Sequence, residues 1–212
     1  MLMKKNIVMA LLIVTLAAGG AFAQMSAGGG LYLASDFGGG VEKMFGGTIT
    51  QKFPYVGGGV YGFFEPLSFV EINVGFFYGG GKWTQITSVG GISNTTEQDA
   101  TYSALDIGVM GKYPIAVGDA LSVYPALGIT FRSFTTAEVG DKTYDAEEMS
   151  AFWLSLGGGL DFSFGEKLYL RANVMYGVRL SSELEDDLVK TLGGNTLLGH
   201  GLGVKVGLGY RF

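Results

Sequence analysis

The residues best suited to nucleophilic chemistry in this chain are its single histidine, His200, and the serines Ser181 and Ser182. An imidazole within hydrogen-bond reach of a serine hydroxyl can activate that hydroxyl as a nucleophile. Neither serine stands close to His200 in the sequence, and a lone histidine at a junction between a loop and a strand is usually an ordinary surface residue. The chain also has no cysteine, which excludes a thiolate nucleophile. We therefore predict that the protein is not an enzyme.

Acidic side chains gather in two segments whose carboxylate oxygens could bind divalent cations. Their spacing matches no EF-hand loop, so solvated loops are the favoured interpretation. The triple glycines at 38–40 and 157–159 are not followed by the Lys and Ser or Thr of a phosphate-binding loop. The sequence thus predicts neither a metal nor a cofactor. The acidic residues are Glu138, Asp141, Asp145, Glu147, Glu148, Glu183, Glu185, Asp186 and Asp187.

A third set of charged residues stands at alternate positions within apolar runs. Successive side chains of a strand point to opposite faces, so these charges share one face of each strand. Inside a closed sheet they are expected to pair, because an unpaired buried charge is costly. Strand direction predicts that Glu71 and Arg171 pair near one end. Asp106 and Lys205 are expected to pair near the middle, with Arg132 closer to the other end. The full predicted set is Glu71, Asp106, Lys112, Arg132, Asp161, Arg171, Arg179, Lys205 and Arg211.

The elements that must position these charges are strands. From Leu67 onward six runs alternate apolar and polar residues with period two, which is typical of strands with one apolar face. Two earlier runs, 29–34 and 55–64, are less regular, and the faces of the second stay unassigned. Together they make eight strands, an even number, as in single-chain bacterial barrels. The fold prediction is an all-β, transmembrane, antiparallel up-and-down barrel of about eight strands.

The connections between these runs alternate in length. Short periplasmic turns and long extracellular loops produce this order in a transmembrane barrel, whereas a soluble sandwich has no reason for it. Inward glycines such as Gly128, Gly177 and Gly203 are expected to make room for large neighbours, since side chains normally fill an eight-stranded interior. The predicted short turns are 65–66, 114–120 and 165–167, and the predicted long loops are 36–51, 79–100, 135–150 and 181–200.

Composition agrees with this architecture. The 212 residues include 37 glycines, 13% aromatic and 16% charged residues, and their mean hydropathy is +0.33. Beyond the N-terminus there is no run of about 18 apolar residues from which a membrane-spanning helix could form. The net charge of −5 is opposite to what a nucleic-acid-binding protein normally carries.

The first 23 residues have the pattern of a cleavable signal peptide. Lys4 and Lys5 precede an apolar stretch at 7–18, and Ala21-Phe22-Ala23 matches the small-residue cleavage motif. The apolar stretch is shorter than the ~20 residues that a spanning helix needs. We therefore expect export, cleavage after Ala23, and a mature barrel domain over residues 24–212.

The C-terminus carries a resemblance to a known family. Lys205, Gly207, Tyr210 and the terminal Phe212 match the outer-membrane assembly signal, in which a polar residue and a glycine precede two aromatic or apolar positions. The chain from 24 to 212 thereby resembles the small eight-stranded outer-membrane β-barrels, such as the OmpA transmembrane domain and the OmpX-, Opa- and OmpW-like proteins. The resemblance implies integration into the bacterial outer membrane, with outer-membrane lipid and the barrel-assembly machinery as partners.

The leading functional prediction is a surface-exposed outer-membrane barrel with a structural or interaction role through four extracellular loops, which would bind an extracellular or host ligand. The alternative is a narrow channel for small or apolar solutes, as the OmpW-like resemblance suggests. The predicted lumenal ion pairs favour the first interpretation, because paired side chains that cross the interior would obstruct passage.

Overall fold

The computed structural model describes residues 25–44, 47–143, 150–180, 195–196 and 199–212. The predicted signal peptide, with Ala21 and Ala23, lies outside the described residues. The described residues contain no helix long and apolar enough to cross a membrane. Their strands are β1 (Ser26–Met44), β2 (Gly47–Leu67), β3 (Val70–Val89), β4 (Ile92–Lys112), β5 (Ile115–Val117), β6 (Leu121–Val139), β7 (Lys142–Thr143), β8 (Ala151–Phe164), β9 (Leu168–Leu180), β10 (Asn195–Thr196) and β11 (His200–Arg211).

Eight of these strands form a closed antiparallel ring. The ring runs β1, β2, β3, β4, β6, β8, β9 and β11, and β11 pairs with β1 from Arg211–Gly28 to His200–Gly39. Each ring strand is hydrogen-bonded to its sequence neighbours in the ring, so the topology is up-and-down. The short strands β5, β7 and β10 pair with β6, β6 and β1 at the ends of the ring. The predicted eight-stranded barrel is confirmed.

Side chains alternate along each strand between the outer and the inner face of the ring. Large apolar side chains point outward and are exposed, including Leu33, Val60, Ile129 and Leu208. The alternate positions point inward and are buried. β1 places Tyr32 inward between Leu31 and Leu33, and β2 places Tyr55 and Phe63 inward, which settles the strand whose faces the sequence left open.

The two ends of the barrel differ. At one end, called the turn end below, strands are joined by tight connections at 68–69, 118–120 and 165–167, where Gly118 and Gly165 adopt positive φ. The opposite end is called the hairpin end. There β3 and β4 meet at Gly90-Gly91, whose φ values of 58° and 84° suit the two-residue turn that matches strand twist.

The predictions of long loops at 36–51, 79–100 and 135–150 are wrong for most of the residues that the structure describes there, because these residues lie in strands. β1 and β2 extend to Met44 and from Gly47, β3 and β4 meet at a two-residue turn, and β6 extends to Val139. Backbone pairing satisfies the N–H and C=O groups of these segments, and Thr and Ile suit strands even where the alternation fades. The fourth predicted loop, 181–200, lies largely outside the described residues.

As a result the barrel is uneven in height. β1 to β4 and β6 have 19 to 21 residues, whereas β8, β9 and β11 have 12 to 14. About 9–11 tilted residues suffice to cross a bilayer. The longer strands therefore form a projecting sheet, defined here as residues 38–44, 47–52, 79–101 and 133–139.

Candidate functional site

The barrel interior is filled along one side by aromatic rings. Tyr55 packs edge-on against Tyr102 at 4.6 Å between ring centroids and lies 5.1 Å from Phe77. Nearer the turn end, the hydroxyl of Tyr61 donates a hydrogen bond to that of Tyr169 at 2.7 Å. This packing closes the side of the lumen formed by β1 to β4.

At the turn end, six charged residues form one connected group, the turn-end cluster. Arg171 donates two hydrogen bonds of 2.8 Å to the two oxygens of Asp161 and a third of 2.8 Å to Glu71. Lys112 donates to Glu71 at 2.9 Å and also to Glu65. The cluster consists of Glu65, Glu71, Lys112, Asp161, Arg171 and Arg211.

Strand register explains the geometry of this cluster. Asp161 and Arg171 are direct partners across β8 and β9, so the carboxylate faces the guanidinium side by side. β3 and β9 stand on opposite sides of the ring, and the Arg171–Glu71 bond therefore crosses the lumen. A planar guanidinium with five donors can bind one carboxylate with two parallel hydrogen bonds and a second carboxylate with a third, and the parallel pair is the geometry that an ammonium cannot reproduce.

Nearer the hairpin end is a second group, the mid-barrel cluster of Asp36, Asp106, Arg132 and Lys205. Arg132 donates to the two oxygens of Asp106 at 2.8 and 3.0 Å, and Lys205 donates to Asp106 Oδ2 at 3.4 Å. Arg132 also lies 3.6 Å from Asp36. Tyr55 joins the group, since its hydroxyl donates to Asp36 at 2.6 Å and accepts from Arg132 at 2.8 Å.

Both clusters balance their charges. The turn-end cluster has three carboxylates and three cations, and the mid-barrel cluster has two of each. Burying an ion is offset only when its partners are well placed and its remaining hydrogen-bonding groups are satisfied. The charge balance and the paired contacts largely meet this condition, although Nε of Arg211 is buried without a hydrogen-bond partner. The two clusters therefore hold opposite strands of the ring together across the lumen.

Between the two clusters lies a cavity of about 180 Å³, called the central cavity. The aromatic side chains of β1 to β4 do not fill this cavity, and much of its wall is glycine backbone on β6, β9 and β11. Gly177 makes room for Trp153, as expected, since an added Cβ would lie 3.3 Å from the indole. Gly203 borders open space instead, because an added Cβ would meet only ordinary contacts at 3.7 Å or more. Inward glycines thus create space as well as fill it.

The structure brings together most of the charged residues that the sequence singled out. Glu71 meets Arg171, and Asp106 meets Lys205, in the predicted pairs. Arg132, expected closer to the outer end, instead stands directly opposite Asp106 in the register of β4 and β6.

Other predicted residues lie elsewhere. Arg179 is half-buried opposite Trp153. His200 is exposed, with its ring 5.9 Å from Tyr176, and Ser181 and Ser182 lie outside the described residues. Among the described residues, no group of three or more His, Asp or Glu side chains could hold a metal ion.

Sequence reasoning missed three members of these clusters. The sequence pattern predicts a turn at Glu65, but β2 continues through it and the turn falls at Ser68 and Phe69. The pattern predicts a loop at Asp36, but this residue lies in β1, in phase with Tyr32 and Ala34. Tyr55 lies in the run whose faces the sequence does not assign. The sequence signal that could have identified Asp36 is its position two residues after Ala34 and four after Tyr32, which continues their inward phase.

The residues of the predicted assembly signal all lie on or directly after β11. Lys205 and Gly207 point inward, whereas Tyr210 and Phe212 are exposed on the outer face at the turn end. The backbone N–H of Phe212 donates to Ala27 at 2.9 Å, so the C-terminus is paired with the first strand.

A family model agrees with this architecture. The family model for the outer membrane protein beta-barrel domain matches residues 7–212. No curated protein sequence matches the chain. The crystal structure of Neisserial surface protein A is similar with 9% identity and a TM-score of 0.44, covering 87% of this chain and 99% of that one. OprG from Pseudomonas aeruginosa shows 12% identity and a TM-score of 0.48 over 89% and 95% of the two chains. Ail from Yersinia pestis shows 16% identity and a TM-score of 0.35 over 88% and 99% of the two chains.

Proposed function

The chain belongs to the family of outer membrane protein beta-barrel domains and is an integral protein of the bacterial outer membrane, and on this premise we propose that it is a surface scaffold that holds its projecting sheet outside the cell for contact with an extracellular partner. In this proposal the turn end faces the periplasm and the hairpin end faces outward, as short periplasmic turns and long outer segments are arranged in such barrels.

One observation carries this proposal: the described strands of the projecting sheet continue far beyond the part of the barrel whose outward side chains are apolar. On β3 the unbroken series of outward apolar side chains ends at Tyr78. The next outward positions are Gly80, Lys82 and Thr84, with Ile86 as a single apolar residue beyond them, and the strand runs on to Val89. At about 3.3 Å per residue, these eleven residues add roughly 35 Å of strand. A barrel that only needed to cross the membrane would not require this length.

The tip of the longest hairpin has the chemistry of a contact surface. Val89 and Ile92 flank the Gly90-Gly91 turn and are 57% and 78% exposed. They are surrounded by serine and threonine on both strands, including the hydrogen-bonded pair Ser88 and Ser93. A small apolar tip within a polar surface resembles the composition of recognition sites, where apolar anchors sit within a polar rim.

The closed lumen supports the same proposal. Two charge-balanced clusters cross the interior at different heights, and the aromatic packing occupies the side formed by β1 to β4. Passage of a solute would require the side chains of both clusters to separate, which would leave buried charges without their partners.

A shortened hairpin tests the proposed role. Residues 84–89 and 92–97 are deleted, and the Gly90-Gly91 turn is retained, so that this turn now connects Trp83 to Gln98. These two residues form a pair of the same kind as Val89 and Ile92, because pair types alternate along an antiparallel ladder. The barrel is expected to fold, while cells displaying the variant should lose attachment to cultured epithelial monolayers and to immobilised extracellular-matrix protein.

The matched control keeps the hairpin length and replaces its outward polar residues Thr84 and Thr95 with Ser. This control should attach like the wild type. Equal attachment of cells with the wild-type protein, with the shortened variant and with no barrel at all would contradict the scaffold proposal.

A second candidate function is a narrow channel, and the central cavity is the observation that favours it. Purified protein in planar bilayers distinguishes the two candidates. The scaffold proposal expects little steady conductance, whereas a sustained ohmic current would support the channel.

A further inference from the structure

We infer that the central cavity is a binding site for a small zwitterion, a molecule that carries one cationic and one anionic group. The inference does not depend on the scaffold role, because it concerns the interior and not the projecting sheet. It rests on which charges of the lining remain accessible, on how they are already bonded, and on the size and net charge of the cavity.

The charged residues of the lining differ sharply in accessibility. Asp106, Glu71 and Arg171 have side chains that are 3–6% exposed, since their partners surround them. The Arg132 side chain is 15% exposed, and those of Asp36 and Lys205 are the most exposed of this lining, at 22% and 43%. The donors of Arg132 are occupied by Asp106 and Tyr55. The cavity therefore offers a ligand one carboxylate and one ammonium.

Asp36 presents one oxygen towards the glycine wall. Its contacts with Tyr55 and Arg132 both fall on Oδ2. Oδ1 faces β11, where it lies 3.0 Å from the point that a Cβ on Gly201 would occupy. An ionised carboxylate accepts about four hydrogen bonds, so Asp36 can accept further bonds from a ligand cation.

Lys205 is held loosely for a lysine in a barrel interior. Its ammonium has three donors. One reaches Asp106 Oδ2 at 3.4 Å, but that oxygen already accepts a shorter bond of 3.0 Å from Arg132. The Tyr32 ring supports the ammonium from another side, at 5.3 Å from its centroid. Donors remain for an anionic group in the cavity.

Asp36 and Lys205 are also correctly spaced for one small molecule. They lie on the paired strands β1 and β11, where Asp36 is opposite Gly203 and Lys205 is opposite Ala34. Their positions are diagonal neighbours on one face, and such neighbours are about 7–8 Å apart between Cα atoms. A ligand placed beside Gly203 would contact both.

Size and charge define the class of ligand. The 180 Å³ is many times the roughly 10–15 Å³ that one water molecule requires, so the cavity can hold a molecule with a few non-hydrogen atoms. The lining has three carboxylates and three cations, so it is neutral as a whole. A net anion or cation would leave this buried region unbalanced, whereas a zwitterion adds both charges and keeps the balance.

Tryptophan fluorescence gives a direct binding assay. The chain has two tryptophans, and Trp83→Phe leaves Trp153 in the cavity wall as the only one. In a nonionic detergent, alanine should cause a saturable change in Trp153 emission. Propionate, which lacks the ammonium, and ethylamine, which lacks the carboxylate, should each bind at least about tenfold more weakly, since one charge-assisted hydrogen bond is lost.

Three variants and one control locate the site. Gly203→Val should abolish the response by filling the cavity, while the matched Gly111→Val, on the lipid-facing side with ordinary contacts of 3.7 Å, should not. Asp36→Asn and Lys205→Met should each weaken alanine binding at least about tenfold. Heat-modifiable migration in gels verifies that each variant is folded.

The inference is overturned if folded wild-type protein gives no saturable response, or if Gly203→Val responds as the wild type does. Propionate binding as tightly as alanine would also overturn it, because the site would then recognise an anion.

Discussion

Replacing Arg171 with methionine tests whether the turn-end cluster holds the barrel together. Arg171 binds Asp161 with two hydrogen bonds and Glu71 with one, all at 2.8 Å, and these three side chains are almost fully buried. Without it, the cluster keeps three carboxylates but only two cations. Removing one member of a buried ion pair costs about 3–5 kcal/mol where the site is dry. We expect Arg171→Met to lower the free energy of unfolding by about that amount.

The assay is reversible urea unfolding in nonionic micelles, followed by tryptophan fluorescence and by gel migration. Arg211→Met is the matched control, since Arg211 also contacts Asp161 but at 3.1 Å and with a side chain 31% exposed. Arg211→Met should lower the free energy of unfolding by about 1 kcal/mol or less, as is usual for solvent-exposed ion pairs.

A double variant separates charge imbalance from lost packing. Arg171→Met combined with Glu71→Gln leaves two carboxylates and two cations, so the cluster is again balanced. The double variant should be less destabilised than the sum of the two single variants, with a coupling of about 0.5–3 kcal/mol. A single Arg171→Met that stays within about 1 kcal/mol of the wild type, or additive single effects, would show that water already solvates the cluster and would refute the closed-lumen argument.

The remaining predictions concern orientation, assembly and export. Ser93→Cys at the hairpin end should react with an impermeant thiol reagent on intact cells, and Glu166→Cys at the turn end should not; the reverse pattern would invert the proposed orientation. Tyr210→Ala with Phe212→Ala should leave export intact but reduce the yield of heat-modifiable folded barrel, because β11 loses its exposed aromatic anchors; normal yields would argue against an assembly signal. Mass spectrometry of the protein isolated from outer membranes should find a mature N-terminus at Gln24, and an uncleaved chain would contradict the signal-peptide proposal.

The positions of individual strands were largely predictable from local pattern. Runs such as Val70 to Tyr78 alternate because one face meets lipid and the other the interior, and a shift of one residue would reverse every side chain. This constraint acts on each strand separately, so the pattern can be recognised without knowing which strands are neighbours. It also identified Glu71, Asp106 and Arg171 as inward charges, since each lies in the polar phase of a strand whose other phase is apolar.

The extent of the strands was less predictable. Beyond Tyr78 neither face of β3 is uniformly apolar, so the alternation that is typical of a membrane strand is lost. The sequence therefore predicts a loop for this segment. The strand continues there because β4 supplies hydrogen bonds out to Val89–Ile92. Backbone pairing depends on a neighbouring strand, and a pattern within one strand does not contain that information.

The sequence by itself determined the all-β character, the number of ring strands, and the sign and face of most interior charges, because each follows from period-two alternation over a few residues. Only the tertiary structure decided which charges meet. The register between strands places Arg132 opposite Asp106, and ring closure carries Arg171 across to Glu71. The central cavity is likewise a tertiary property. Glycines of β6, β9 and β11 line one side of it, and the missing side chains become a space only when the strands on the other side of the ring enclose it.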